Sequence, residues 1–147
     1  MSFVDVRPYF RKVIKEADAK LVEWNDAFNE DNIPKTIIDK RCFHILVGKF
    51  KVVNIDQPRF IQFSGDATIT LYYPAAKNLP QNVDDIIAKG QAIVERAMMA
   101  KNRVTQPSIK SVQVINFDPS PMSRSNDNAV RLTIDFSLVI VLELPTV

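Results

Sequence analysis

The sequence predicts an α+β fold: a single mainly antiparallel or mixed β-sheet, two main α-helices packed on it, and a long C-terminal β-hairpin. Two observations carry this prediction. Residues 129–144 alternate apolar and polar side chains with a period of two, which is typical of a strand with one buried face. Residues 6–28 and 83–100 instead place apolar side chains three or four positions apart, which is the period of an amphipathic helix.

The composition is that of one folded domain. The chain has 147 residues, of which 46% are hydrophobic and 24% charged, so residues 1–147 can bury one core without a second domain. No stretch approaches the roughly 18 consecutive apolar residues of a membrane span. The N-terminal segment lacks the pattern of a signal peptide, and Cys42 has no second cysteine to pair with. We therefore expect a cytoplasmic origin and no membrane partner.

The first helix is predicted over residues 6–28. Its apolar positions recur at steps of three and four, with lysine and acidic residues between them. Asp5 is a candidate N-cap, and Pro8 falls in the first turn, where proline is tolerated.

The middle of the chain predicts strands. Residues 36–53 are rich in β-branched and aromatic side chains, and their interruption at Gly48 predicts one or two strands. Gly65 predicts a bulge or bend. After it, residues 66–73 alternate as a half-buried strand does, and Pro74 ends that strand.

The second helix is predicted over residues 83–100. Asn82, with Asp85 three residues later, resembles a capping box at its start. Gly90 lies inside the apolar stripe of this helix, where glycine costs about 1 kcal/mol relative to alanine. We therefore expect the helix backbone to approach the sheet closely at Gly90.

The C-terminal hairpin is predicted from a strand over residues 109–117, a polar connection over residues 118–128, and the final strand. The alternation slips around Val114 and Ile115, which predicts a bulge. At about 3.3 Å per residue the final strand, residues 129–144, would extend roughly 50 Å. A strand of that length either bends or projects to meet another molecule.

Enzyme signatures are mostly absent. The three glycines are widely separated, which excludes a phosphate-binding glycine loop. Cys42 and His44 share a strand face and allow either a thiol–imidazole pair, half of a metal site, or two ordinary strand residues. We favour the last interpretation, because free cysteine is usually buried and inert. We expect no enzyme activity, catalytic residue, metal or cofactor.

The charge distribution is uneven although the net charge is only +2. Residues 35–59 hold six basic and two acidic side chains, a net charge of +4. Either a solvated strand face or a surface turned toward DNA would explain this concentration, and the solvated face is the commoner case. The basic residues are Lys35, Lys40, Arg41, Lys49, Lys51 and Arg59.

The order of these elements is similar to that of a viral family. Residues 66–75, the helix that starts at Asn82, the hairpin ending in residues 132–140, and the early segment 33–37 together resemble the tail terminator proteins of long-tailed (lambda-like) bacteriophages. The resemblance covers most of the chain and is one of pattern and length, without a diagnostic motif. Residues 48–64 are longer than the family pattern.

The resemblance implies a late structural protein of the virion that forms a hexameric ring on the last ring of the tail tube. The ring would stop polymerisation of the major tail tube protein and offer a surface to the head completion protein. It implies a location at the head-proximal end of the tail, after assembly in the host cytoplasm. Our candidates for intersubunit or tube contacts are Pro119, Ser120, Pro121, Met122, Ser123, Arg124, Ser125, Asn126, Asp127, Val139 and Val141. The six basic residues above are candidates for the wall of the bore through which DNA passes.

Three alternatives stay open at this point. A head completion or neck protein would share the virion context but face the portal. A small α+β enzyme is a less favoured alternative, because fold alone does not fix function. A nucleic-acid-binding module would need aromatic residues interleaved with the basic ones on one surface, which the sequence does not show.

Overall fold

The structure is a computed structural model that describes residues 5–24, 41–56, 59–74, 79–103, 108–124 and 127–144. It confirms the α+β fold, with two α-helices, a mixed six-stranded sheet and a C-terminal hairpin. In chain order the elements are α1 (Val6–Ala17), β1 (Val22–Glu23), β2 (Cys42–Val47), β3 (Lys51–Asp56), β4 (Phe60–Pro74), α2 (Leu79–Met98), a 3-10 turn (Ala100–Arg103), β5 (Ile109–Arg124) and β6 (Asp127–Glu143).

The sheet is built on two long central strands. The strand order is β1-β2-β4-β6-β5, and β3 follows β2 along the same side of β4. β1 runs parallel to β2, and every other pair is antiparallel. β4 and β6 pair without a break from Phe60 opposite Glu143 to Pro74 opposite Ala129. The sheet is therefore long along its strands, with different neighbours at its two ends.

The core lies between one face of this sheet and the two helices. The even-numbered residues of β6 from Val130 to Ile140 are buried there, as the alternation predicts. The Phe136 ring packs on Phe10 of α1, with ring centroids 5.0 Å apart. Burying an aliphatic or aromatic side chain of this size contributes about 1.5–3 kcal/mol, so this face dominates the stability of the fold.

α1 ends earlier than predicted. It begins at Val6, as expected, but stops at Ala17, and β1 follows at Val22. Asp18 turns to an extended conformation, while its amide donates to Ile14 O at 2.9 Å and closes the last turn. Leu21 keeps the helical spacing because it is buried in the turn that follows, not because the helix continues. Residues 25–28 lie outside the described residues.

Asp5 lies at the N-cap position of α1, as predicted, whereas the predicted cap of α2 at Asn82 is wrong. Asp5 makes no side-chain capping bond, and its carboxylate accepts a hydrogen bond from the Ser108 hydroxyl at 3.2 Å. α2 begins at Leu79, so Asn82 lies inside the helix instead of capping it. Pro80 falls in the first turn, where its missing N–H costs no helical hydrogen bond.

Gly65 does not form the predicted bulge. It pairs with Leu138 within the unbroken register of β4 and β6. The ring of Phe50, in the connection between β2 and β3, occupies the space that a Cβ atom at position 65 would need. Gly65 is therefore required for close packing on the sheet and not for a bend.

The close approach predicted at Gly90 is confirmed. A Cβ atom at this position would lie 2.8 Å from Phe117 Cζ and closer still to a methyl group of Leu132. Both contacts are too short for a real Cβ atom, so a side chain at position 90 would have to displace the buried ends of Leu132 and Phe117 or α2 itself.

The predicted loop over residues 118–128 is wrong, because β5 continues to Arg124 and pairs with β6 throughout. Only residues 125 and 126 separate the two strands as described. The prolines and polar residues of this segment are typical of a loop. Proline is also tolerated in an edge strand, and β5 is an edge strand of the sheet. The bulge predicted near Val114 and Ile115 is confirmed by a register shift between Val114 and Asn116.

Candidate assembly edges

The two outer sides of the sheet are the most distinctive surfaces of the subunit. An outermost strand carries backbone N–H and C=O groups that can pair with another chain unless something covers or removes them. β5 forms one outer side, and β2 followed by β3 forms the other along the main part of the sheet.

The backbone of β6 shows which groups of β5 point outward. Val141 N donates to Ser108 O at 2.9 Å, so the odd-numbered residues of β6 direct their backbone groups toward β5. Leu144 N donates to Arg59 O at 2.6 Å, so the even-numbered residues face β4. This alternation holds along β6 because its pairing with β4 has no register shift.

Pro119 and Pro121 therefore turn their backbone nitrogens to the outside of the sheet. Ser120 lies opposite Arg131, an odd-numbered residue, and is thus directed toward β6. Its two proline neighbours point the other way, since successive residues of a strand alternate. Neither proline removes a hydrogen bond from the β5–β6 ladder, and both remove a donor from the free edge.

The opposite side is covered at the start of β2. β1 pairs with β2 at Cys42 and Phe43, and Trp24 N donates to Phe43 O at 2.7 Å. Further along, Arg7 Nη2 of α1 donates to Ile45 O at 3.2 Å. Beyond this point no described residue pairs with the outer side of β3.

Both edges are closed at the same end of the sheet. Leu71 of β4 lies opposite Phe43 on one side and Leu132 on the other, and Leu132 lies opposite Pro119. The strand β1 and the two prolines therefore act at the same rungs. We call the rungs from Leu71 to Tyr73 of β4 the closed end, and the rungs from Phe60 to Ala67 the open end.

Both edges carry exposed apolar side chains at the open end, and single exposed residues lie elsewhere, such as Val22 on β1 and Leu46 on β2. On β3, Val52 and Val53 are 56% and 60% exposed, and on β5, Val114 and Ile115 are 36% and 55% exposed. The bulges of both strands lie among these residues, since the β3 register shifts between Val52 and Asn54. Exposed apolar groups that cluster on a strand edge indicate an interaction surface.

A shallow apolar groove lies beside the β5 edge. It has a volume of about 310 Å³ and runs between α2 and β5. Val94 of α2 and Phe117 of β5 line it together with Val114, and Glu95 and Gln91 lie at its helix side. The groove extends the apolar surface of this edge toward the helix layer.

A charged cluster around Asp18 links the helices to the sheet at the closed end. Asp18 Oδ2 lies 3.3 Å from Arg41 Nη1, 3.4 Å from Lys89 Nζ and 3.5 Å from the Tyr73 hydroxyl. Both cations also lie over the Tyr73 ring. Burial, and secondly the Asp18 carboxylate, raise the pKa of Tyr73 well above its ordinary value, so the hydroxyl keeps its proton. These contacts join α1, β2, β4 and α2.

Arg41 has a backbone conformation that supports this role. Its φ angle is 65°, the left-handed region that L-residues other than glycine rarely adopt. The surroundings must stabilise such a conformation, and Arg41 O accepts a hydrogen bond from Val22 N at 3.1 Å. The strain is therefore located where β1 and the charged cluster meet.

The basic residues predicted for the bore do not gather on one surface. Arg41 belongs to the closed end, while Lys49 and Lys51 are exposed at the open end. Arg59 is exposed at the far tip of the sheet and forms an ion pair of 2.8 Å with Glu143. Lys35 and Lys40 lie outside the described residues.

The predicted hairpin contacts form an extended ladder that starts at the closed end with Pro119 and continues past it from Met122. The described backbone pairs Pro119, Ser120, Pro121, Met122, Ser123, Arg124 and Asp127 of the set with the opposite strand. Ser125 and Asn126 lie outside the described residues. Val139 and Val141 are half-buried near the open end, where Val139 lies opposite Ser64 and Ser111. The structure thus separates the two parts of this candidate set.

Cys42 and His44 share the sheet face opposite the helices, as predicted. His44 Nε2 lies 3.1 Å from the Tyr72 hydroxyl, and Cys42 packs with Tyr72, Ala129 and Trp24. Tyr72 is the neighbour that sequence reasoning missed. In the part of the chain that the structure describes, no group of three or more His, Cys, Asp or Glu is placed to hold a metal ion.

A depression of about 380 Å³ near the end of α2 is lined by charged side chains that include Glu16, Glu95, Arg96 and Lys101. Glu16 and Arg96 are 3.7 Å apart and substantially exposed, as expected for a solvated surface pair. None of the described helices is long and apolar enough to cross a membrane.

Comparisons with known proteins inform the fold. No protein-family model matches the chain, and no curated protein matches it. Solved structures do match, and one of them, a protein that carries no functional name, superposes with a TM-score of 0.52. The match covers 94% of this chain and 96% of the other at 15% identity. At that identity the likeness concerns the fold alone.

Proposed function

We propose that this protein is a structural protein of a long-tailed bacteriophage, a tail terminator that forms a ring on the end of the tail tube. The ring would stop polymerisation of the tube and provide the interface for head–tail joining. The observation that carries the proposal is a pair of edges on opposite sides of one sheet, β3 and β5 at the open end, neither of which pairs outward with any residue that the structure describes. This role requires no catalysis and no cofactor.

Two different edges on one subunit favour a ring over a simple dimer. A two-fold dimer uses the same patch on both copies, whereas a ring needs one surface to contact a different surface of the next copy. The edges of β3 and β5 at the open end are two such surfaces. Val52 and Val53 make the first partly apolar, and Val114 and Ile115 do the same for the second. Rotation from copy to copy then closes a ring, and the family resemblance implies six copies.

The two ends of the sheet would serve two partners. The β5–β6 ladder continues past the rung of Pro74 to residues 124 and 127, and the pairing of Asp56 with Phe60 lies at the opposite end. We propose the first end, with residues 119–127, as the tube contact and the second as the side turned toward the head completion protein. Lys49, Lys51 and Arg59 are exposed at this end, and Arg59 pairs with Glu143, so we propose Lys49 and Lys51 as the residues that line a bore for DNA.

A head completion or neck protein is the alternative that the same geometry supports. Its ring would use the same edges but would sit on the portal side. Electron microscopy of labelled virions distinguishes the two, because the terminator lies on the tube and the neck protein does not. A nucleic-acid-binding module is disfavoured, since Arg41 pairs with Asp18 at the closed end and Arg59 pairs with Glu143.

The test combines mass measurement with tube assembly. The full chain is measured by native mass spectrometry alone and after addition of the tail tube protein of the same virus, and tube lengths are measured by electron microscopy. We expect hexamers, alone or on the tube, and tubes that stop growing when the chain is added. A chain that stays monomeric under both conditions and leaves tube growth unchanged would contradict the proposal.

A further inference from the structure

We infer that neighbouring copies join by antiparallel pairing of β3 of one copy with residues 109–117 of β5 in the next copy. This inference rests on the proposed ring and specifies its interface. It names the second copy of this chain as the occupant of both open edges. Strand direction, edge blocking and the distribution of apolar side chains support it independently.

Strand direction permits the sheet to continue from copy to copy. β4 runs antiparallel to both β3 and β6, and β6 runs antiparallel to β5. β3 and β5 of one subunit therefore run in opposite directions. A rotation about an axis near the strand direction preserves these directions, so β3 of the next copy meets β5 as an antiparallel neighbour.

Edge blocking leaves one stretch available on each side. Near the closed end β1 pairs with the outer side of β2, and the Arg7 side chain donates a hydrogen bond to Ile45 O. On the other side Pro119 and Pro121 remove the outward donors at the same end. Val112 and Val114 lie opposite even-numbered residues of β6, so their N–H groups point outward and are intact. Pairing is thereby restricted to the open end of both edges.

The side chains of the two stretches are also complementary. Val52 lies on the rung of Phe63 and Val114 on the rung of Ala67, so the strands of neighbouring copies must be staggered by about four residues, as tilted strands in a closed ring are. With that stagger Val52 and Val53 on β3, and Val114 and Ile115 on β5, would shield one another from water. The groove beside Val114 extends this apolar surface. Lys51 of β3 and Glu95 at the groove are exposed and of opposite charge, which favours this orientation of the two copies.

The bulges limit the contact to a short ladder. Bulges twist an edge strand and interrupt regular pairing, and each open edge contains one among its exposed residues. Together with the prolines, they prevent the edge from templating an unlimited sheet. A closed assembly of defined size is the expected product.

Two single substitutions test the interface because each damages a different edge. Val53→Lys places a charge on the β3 edge, and Ile115→Lys places one on the β5 edge. Both residues are more than half exposed, so the fold should tolerate the change. Val22→Lys is the matched control, because Val22 is 43% exposed on β1 at the closed end.

Native mass spectrometry of the full chains is recorded under conditions in which the wild type forms rings, with tail tube protein present if the wild type requires it. We expect the ring to be lost in each of the two edge variants and retained in Val22→Lys. An equimolar mixture of the two edge variants should form a 1:1 dimer and nothing larger, because each copy keeps one intact edge. That dimer also shows that both variants are folded.

The other outcomes separate this inference from the proposed function. Rings of Val53→Lys and Ile115→Lys like those of the wild type would overturn the edge pairing and leave the terminator role standing. Assembly lost in only one variant, or no dimer in the mixture, would also overturn it, since the contact would then not join β3 to β5. A wild-type chain that never assembles would overturn the proposed function itself.

Discussion

The two ends of the sheet differ although the same two central strands, β4 and β6, run through both. At the closed end β1, two prolines and the Asp18 cluster surround the strands, and Leu71 and Tyr72 are fully buried. At the open end Val52, Val53 and Phe60 are exposed, and the outer side of β3 has no described partner.

The alternation along a strand determines which side chains face the core. The neighbours of the strand determine whether its edge is covered within the subunit or left for another molecule. Burial at the closed end supplies folding free energy within one subunit. Apolar side chains left exposed at the open end contribute to stability only when a second molecule covers them. One face of the sheet is thus buried against the helices at both ends, and the open end in addition exposes apolar edge residues that suit assembly.

The largest expected effect contrasts a core residue at the closed end with an edge residue at the open end. Leu71→Ala removes a fully buried side chain at the closed end and should lower the free energy of unfolding by about 2–5 kcal/mol. Val53→Ala at the open end should change the stability of the monomer by less than about 0.5 kcal/mol. Urea unfolding of monomeric protein measures both. Equal losses would contradict the contrast.

The next effect concerns the helix layer. Gly90→Leu should destabilise the fold by about 1–3 kcal/mol or more, because Leu132 and Phe117 occupy the space of the new side chain. Ala88→Leu is the matched control, since Ala88 lies on the exposed side of the same helix and should stay within about 0.5 kcal/mol of the wild type. A neutral Gly90→Leu variant would show that α2 does not need this close approach.

The charged cluster predicts a pH dependence with a defined sign. Burial raises the pKa of Tyr73 in the folded state above the unfolded value of about 10, so the unfolded chain loses this proton first. The contribution is fully present below about pH 10 and is lost as the pH rises above it. Each proton contributes at most about 1.4 kcal/mol per pH unit.

Tyr73→Phe should therefore flatten the decline in stability between about pH 10 and pH 11. Part of the decline should persist, because burial also raises the pKa of Tyr9, whose hydroxyl donates to Ala97 O. Chemical unfolding at a series of alkaline pH values compares the two proteins. Identical slopes for wild type and variant would mean that Tyr73 does not stay protonated in the folded chain.

The smallest expected effect on the monomer comes from the prolines. Replacing Pro119 and Pro121 together by threonine restores two outward donors at the closed end and should change monomer stability by less than about 1 kcal/mol. Assembly should become less uniform, with species larger than the wild-type ring, because the edge is no longer blocked there. Mass photometry measures the size distribution. An unchanged distribution would mean that the prolines do not limit pairing.

The parts of the fold that depend on local periodicity could be predicted from the sequence. The alternation of Ala67, Ile69 and Leu71, the close approach at Gly90 and the bulge near Val114 are of this kind. The first helix was predicted too long because Leu21, a buried residue in the turn after it, keeps the helical spacing. The loop prediction for residues 118–128 failed because two prolines are compatible with a strand only at the edge of a sheet, and the sequence does not show that β5 lies there.

The candidate edges could be predicted only in part. A long final strand indicated a molecule that meets another one, and this expectation led to the hairpin residues. The exposure of Val52 and Val53 depends on what lies beside β3, which no local pattern contains. Pro119 and Pro121 did carry a signal: two prolines at alternate positions can share one outward direction, as an edge strand requires.

Hydrogen–deuterium exchange of the assembled and the monomeric chain tests the role of the open end most directly. The central claim predicts that amides in residues 50–56 and 110–117 become protected on assembly, while those of β1 and of residues 69–73 keep the same exchange rate. Unchanged exchange at the open end, or new protection confined to the closed end, would contradict it.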